Sequence, residues 1–464
     1  MRHSTTQKSH QKAARRGVTA LLAMLYLTLI ASLALGFYAT SNSSVMVTEN
    51  EKRTGMALVA SESGMDFMRY HLYEVTIPYG TTQSQLFGRL HSELKTHLEN
   101  TGNLGSKTIS NDGTYIRIPA NPNDFIKLDS SGAEFRCVIE NLGQKVQVKI
   151  VGRYHGYLAN RAVQMKFDLA EKASQIFNYG VASRGRVSTG GSAIIKGLND
   201  PTKGSVLSTS TDASPVDIQG PSVSGDISIS GGGSVSFGGN TSIGGSTNTA
   251  DIIANHIHKN VIAPEFPTID VNDIKAFATS VYVGGTVLDN VIIPPNTNPT
   301  FAADTTITGV LLVQPPNVVT FRGNTYIKGV IVAPNATDSI GNLSTNILDF
   351  RGSISAQGVE ALPDTYGELK KLTGGFILAP NFQAKFSGNF GNIYGSIVTD
   401  KVTMSGGATG TIYGSIVTLK DTPMSINGNS SLTIASTGTM NYPAGVFFSS
   451  RYTPLADTYE EIKP

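Results

Sequence analysis

The sequence predicts a mainly β chain: a long N-terminal transmembrane and amphipathic helix, a small antiparallel β-meander, and a C-terminal β-solenoid (β-helix) of about 20-residue coils. Three observations carry this prediction. An uncharged apolar run of about twenty residues follows a cationic start, the length that spans a hydrocarbon core as a helix. Segments alternating apolar and polar, joined by short turns, follow it. A glycine-punctuated repeat then fills the second half. Among 464 residues there are 49 glycines, no tryptophan and only 15% charged residues, a profile of strands and tight turns rather than of a helical enzyme.

The formal net charge of +2 gives no whole-chain electrostatic case for a nucleic-acid partner. One cysteine, Cys137 in FRCVIE, rules out an internal disulfide. With no histidine close in sequence, it reads as a small half-buried residue rather than a nucleophile.

The first segment, MRHSTTQKSHQKAARRG, is a basic leader over residues 1–17, carrying Arg2, Lys8, Lys12, Arg15 and Arg16 and no acid. VTALLAMLYLTLIASLALGFY, residues 18–38, is the transmembrane helix. A cationic flank on one side only predicts a single-pass protein with a cytoplasmic N-terminus and its bulk exported to the periplasm or cell surface. A secretory signal is the other reading, and Ala34 and Gly36 keep a cleavage site open. From Thr48 the chain reads TENEKRTGMALVASESGMDFMRYHLYEV, with Met56, Val59, Ala60, Phe67 and Tyr70 near helical spacing, so the two stretches form one continuous helix roughly 80 Å long.

In TTQSQLFGRLHSELKTHLENTGN, Leu86, Leu90, Leu94 and Leu98 recur every fourth residue, which predicts a second, amphipathic helix. EFRCVIE, KVQVKIVGRY and RAVQMKFDLAEK, joined at NLGQ and HGYLAN, read as an antiparallel meander. Lys145, Lys149, Arg153 and Lys166 alternate along it as a solvated face. This helical and meander region occupies residues 39–172.

Residues 173–464 hold the repeat and its C-terminal cap. VSTGGSAIIKG, VSFGGNTSIGG and VTFRGNTYIKG superimpose without gaps; QAKFSGNFGNIYG and KVTMSGGATGTIYG add one or two residues. The frame is an apolar residue (Phe237, Phe321, Phe386, Met404), a glycine, about four residues, then Ile-x-Gly. Gly309, Gly329, Gly375, Gly395 and Gly414 mark successive units, and the wide gap before Gly375 reads as an inserted loop and short helix.

In the doubled motif IYGSIVT, alternation places Ile393, Gly395 and Ile397 on one face, with Ile412, Gly414 and Ile416 stacked over them as a buried ladder. Tyr394 and Tyr413 then stack on the outer face, the first candidates for surface binding. PMSINGNSSLTI followed by NYPAGVFFSSRYTPLADTYEEIKP reads as the cap of the last coil.

No catalytic site, metal site or cofactor is expected. Asp304, Asp349, Asp364, Asp400 and Asp421 fall at different phases of the coil, unlike the aligned acids of solenoid lyases and hydrolases. His256 and His258 share a strand face without an evident third ligand, and Asp270 and Asp273 lack the glycine-rich aspartate repeat of calcium-binding solenoids.

ARRGVTALL, the apolar run and ALVASESGMDFMRYHL together resemble the start of type IV pilin-like proteins, specifically PilX-type minor pilins. The resemblance implies a prepilin leader cut between Gly17 and Val18, and other pilin-like subunits as partners through the N-terminal helix. Leu22 stands where major pilins carry a glutamate, which the resemblance associates with minor rather than bulk subunits. FNYGVASRGRVSTGGSAIIKG is similar to the entry of the glycine-punctuated solenoids found behind such N-termini. The function implied is that of a non-enzymatic, membrane-anchored structural or adhesion protein of the cell envelope, with a surface polysaccharide or cell surface as a partner. The other readings are a membrane-anchored polysaccharide-binding or polysaccharide-degrading β-helix protein and a bactofilin-like polymer, which export disfavours.

Overall fold

No proline interrupts the chain between His10 and Glu74, and that whole stretch is one helix, α1, which stops before Pro78. The computed structural model describes residues 10–99, 102–128, 130, 132–155, 160–335, 342–435 and 442–464. They divide into two units, residues 1–171 with 450–464, and residues 172–449.

In the first unit, α1 has two characters. Residues 18–47 are exposed throughout, including Leu21, Leu25, Leu29 and Leu33, and this stretch is apolar and long enough to cross a membrane. From Ala57 onward one face packs on an antiparallel sheet, where Ala57, Ala60 and Ser61 are fully buried. Small residues are required here because the backbones nearly touch. A Cβ on Gly152 would be driven into the helix backbone at Ala57 and Ser61, and one on Gly64 would strike Phe135 and Ile150. The second helix, α2 (Gln83–Glu99), buries Leu86, Phe87, Leu90, Leu94 and Leu98, the predicted stripe.

The sheet contains the three predicted strands, Ala133–Leu142, Lys145–Tyr154 and Arg161–Glu171, paired antiparallel in sequence order. The HGYLAN turn lies mostly outside the described residues. Two of the alternating cations have local partners: Arg153 donates to Glu134 at 2.7 Å, and Lys145 pairs with Asp168 at 3.2 Å. Cys137 is deeper than expected, 1% exposed, and burial pushes its thiol pKa up, which leaves it protonated and inert.

One strand of this sheet corrects the sequence reading. Ser450–Ile462, expected to cap the solenoid, instead pairs antiparallel with Arg161–Glu171 at the sheet edge. Its proline, Pro454, is tolerated because an edge strand has one side free of the ladder. The second unit is therefore an insertion between two neighbouring strands.

That second unit is built on one large parallel sheet, 25 strands among the described residues, whose chain returns to the same register pass after pass. The arrangement is consistent with a β-solenoid. The inward row of the repeat frame shows the stacking order directly. Phe301 pairs with Phe321, then Phe350, Phe386, Met404 and Ile426; Ile426 pairs with Thr189, which continues to Ile218 and Phe237.

The last pass in sequence thus lies on the first, and the stack runs in space from residue 280 to 435 and then from 181 to 259. PMSINGNSSLTI is a joint in mid-stack rather than an end cap. The insertion explains this order. A stack wound in simple chain order has its two ends far apart, whereas an insertion between adjacent strands needs them together. Here they are together: Lys172 donates its backbone N–H to Ser449 O at 2.8 Å, and the Glu265 carboxylate accepts from Ser449 N and Oγ at 2.8 and 2.7 Å.

The segment after Lys259 runs back along the stack, pairing Thr268–Ile269 with Val446–Phe447. Phe266, Ile269, Val271 and Ile274 from it form a second apolar layer with Ala182, Leu207, Leu378, Val398 and Val417. The motif strands are consequently buried on both faces, which the alternation rule alone does not anticipate. The loop before Gly375 holds short 3-10 turns, Val359–Ala361 and, kinked at Gly367, Asp364–Lys371, where one short helix was expected.

Candidate functional site

Gly17 and Val18 lie within α1, with Val18 exposed, while residues 1–9 of the leader lie outside the described residues. Ile393 pairs with Ile412 and Ile397 with Ile416, all four fully buried. The row of Ile397 and Ile416 continues to Val181, Val206 and Ile227. Gly395 adopts φ +119°, and a Cβ there would sit 2.7 Å from the Gly375 carbonyl carbon. Gly414 is bound by the same closeness to Gly395, also at 2.7 Å. Both glycines thus answer to the contact between passes.

Tyr394 and Tyr413 stack on each other with centroids 4.4 Å apart and planes within 5°. Each ring covers one face of the other, so the pair retains its two outer faces, its edges and its hydroxyls. Tyr326, which no repeat of tyrosine marks in the sequence, differs. It is 51% exposed, and its register neighbours are Thr306 and Ser355, so no ring among the described residues lies against it. Beside it runs a groove of about 550 Å³ lined by Ser355, Asn389, Asn392, Thr409 and Thr411.

The groove arises at a bulge. Ile354 pairs with Phe390 and Ala356 with Ile393, so Ser355 faces two residues, Gly391 and Asn392. The extra residue noted in GNFGNIYG is the sequence trace of this feature.

The histidines meet a partner that local spacing does not reveal. His256 Nδ1 and His258 Nε2 lie 2.8 and 3.0 Å from the two carboxylate oxygens of Asp226, with His256 Nε2 also 3.9 Å from Asp251. Among the described residues, no group of three or more His, Cys, Asp or Glu side chains is arranged to hold a metal ion. The trio instead ties the last pass in space, Ile257–Lys259, to the turn before Ile227–Ile229.

Desolvation pushes the Asp226 carboxyl up, but the hydrogen bonds from His256 and His258 outweigh it and hold its pKa below the usual value. A depressed carboxylate contributes stability that is present above its unfolded pKa and lost as pH falls through its folded one. Asp226→Asn should therefore melt below wild type above about pH 4, with the two curves converging in more acidic buffer. A gap between the curves that persists unchanged at low pH contradicts this role.

Asp270 accepts from the Asn272 backbone N–H at 2.9 Å and so organises the turn into a short helix. Three of the repeat-region acids have side-chain partners: Asp304 with Asn324, Asp349 with Arg351, and Asp364 with Lys370. Asp400 is 2% exposed, and burial pushes its carboxyl pKa up. A second groove, of about 450 Å³, lies beside Arg184, whose guanidinium sits 4.8 Å over the Phe266 ring.

No family model matches the chain, and no curated protein matches it. Among solved structures it is similar to the competence-associated pilin ComZ from Thermus thermophilus, at a TM-score of 0.27 and 9% identity, over 88% of this chain and 97% of that one. A likeness at that level carries no structural argument.

Proposed function

We propose that the chain is a non-enzymatic, membrane-anchored envelope protein of the PilX-like minor pilin type, displaying a β-solenoid of about 20-residue coils as a structural or adhesive surface. The observation that carries this reading is the division of α1. Its first half is apolar and uncovered, and its second half packs by small residues onto an antiparallel sheet. An uncovered apolar half-helix is stable only in lipid or against other apolar helices, which fits insertion followed by assembly with other pilin-like subunits.

The basic leader before it supports a cytoplasmic start and an exported bulk. Leu22 supports a minor role, since no carboxylate stands there to pair with a neighbour. The absence of aligned acids in the repeat, and the local partners of Asp304, Asp349 and Asp364, support a surface without catalysis.

Mass spectrometry of the mature protein tests this. The expected N-terminus is Val18, N-methylated, and Gly17→Val should leave the precursor uncut. A retained Met1, or a cut beyond Ala34, overturns the pilin reading.

A further inference from the structure

The outward face of the stack is not uniform, and its composition selects a ligand. Across successive passes the positions just before the inward isoleucine row are Thr306, Tyr326, Ser355, Asn392 and Thr411. All five side chains donate or accept hydrogen bonds without carrying charge. None of the described residues lining the adjoining groove is charged either. An anionic polymer would call for Arg or Lys forks, and a cationic one for carboxylates. The groove lining supplies neither, although a cation, Lys328, stands two positions from Tyr326 on the same face.

What it supplies is an uncovered aromatic face beside amides and hydroxyls, the pairing that suits a sugar ring, whose apolar C–H face stacks on the tyrosine while its hydroxyls bond at the edge. The floor is low where it needs to be. Gly391 and Gly410 line the groove, and a Cβ on Gly410 would collide with the Phe390 carbonyl oxygen, so that position is held to glycine and no side chain fills the space. Passes recur at about 4.8 Å, close to the length of one hexose unit, so an extended chain lying along the stack meets a polar, uncharged side chain at each step. Tyr394 and Tyr413 offer less, since each has one face covered by the other.

The geometry points to a binding groove for a neutral polysaccharide, with Tyr326 as its stacking platform and Asn392 and Thr411 as its hydrogen-bonding edge. The inference rests on the reading of the solenoid as an exported surface.

The test uses the full chain in a detergent without a sugar headgroup, titrated calorimetrically with neutral hexasaccharides of β-1,4-glucose, β-1,3-glucose and mannose, and with alginate and heparin hexasaccharides. At least one neutral probe is expected to bind, with the affinity falling about tenfold or more in Tyr326→Ala and in Asn392→Ala. Tyr326→Phe is expected to keep the affinity, and melting temperatures should be unchanged throughout. Binding to intact cells of the producing strain assigns the glycan to its own envelope; binding to foreign cells alone makes it an adhesion target.

Binding of no neutral probe, preference for the anionic ones, or undiminished affinity in Tyr326→Ala overturns the inference. Cleavage after Gly17 without glycan binding removes this inference alone. Glycan binding by a chain that retains Met1 removes only the pilin reading.

Discussion

Phe350→Ala should lower the melting temperature of the solenoid by on the order of 10 °C. Phe350 is fully buried between Phe321, at 4.8 Å and 6°, and Phe386, at 5.0 Å and 13°, in a row that begins at Phe301. Its strand is held in register on both sides, Leu348 against Val319 and against Ala384. The neighbouring passes therefore cannot collapse into the space left by the ring. Truncating such a phenylalanine costs about 3–5 kcal/mol, transfer and cavity together. At about 2–4 °C per kcal/mol for a unit of this size, the shift follows.

Because each pass is stabilised by its neighbours, the same truncation at Phe301, which stacks on Phe321 on one side and meets only the partly buried Tyr282 edge-on on the other, should cost less. Far-UV circular dichroism of the strand signal against temperature measures both. A fall of under about 2 °C for Phe350→Ala, or a larger one for Phe301→Ala, contradicts an aromatic row that acts as the spine of the stack.

What the sequence made legible is what is written locally. The apolar run from Val18, the stripe Leu86–Leu98 and the frame Phe321, Phe386, Met404 are each spelled by spacing within one element. The stacking order was not legible, because every pass of a repeat resembles every other: the frame at Thr189 could adjoin either of its alternatives with equal local sense. The decisive fact is long-range, that residues 172–449 enter and leave at one place. The strand Ser450–Ile462 was hidden for a different reason. Pro454 and the register shift between Leu455 and Glu460 interrupt the alternation that marks a strand, and both are tolerated at an edge.

The candidate site follows the same division. Its isoleucine ladder is periodic and visible, whereas Asp226 lies 30 residues from His256 and meets it only through the stacking of passes. Tyr326 carries no repeating mark in the sequence, because its row neighbours, Thr306 and Ser355, are small. That same smallness is what leaves its ring open.

The stacking order makes its own strong prediction at Val187, a position that lies in the first pass of chain order and in the middle of the stack in space. Val187 is fully buried, in register with Met424 on one side and Val216 on the other. Its pass is joined on both sides again through Val181, to Ile416 and Val206, and through Ile195, to Leu432 and Val223. Val187→Asp sets an unpaired carboxylate among these aliphatic side chains, an uncompensated buried charge costing about 3–5 kcal/mol even as its pKa rises to shed the charge. If the stack followed chain order, the same change would fray one end. Here it should divide the stack.

Hydrogen exchange read by mass spectrometry separates the outcomes. In the wild type, amides of residues 181–197 should be among the slowest, and those of residues 242–259 and 280–293, the two ends in space, among the fastest. In Val187→Asp, protection should fall together in residues 206–223 and 416–435, on either side of the lesion, while residues 300–332 keep most of theirs. Loss confined to residues 206–259, with residues 416–435 unchanged, would show that the last pass does not rest on the first.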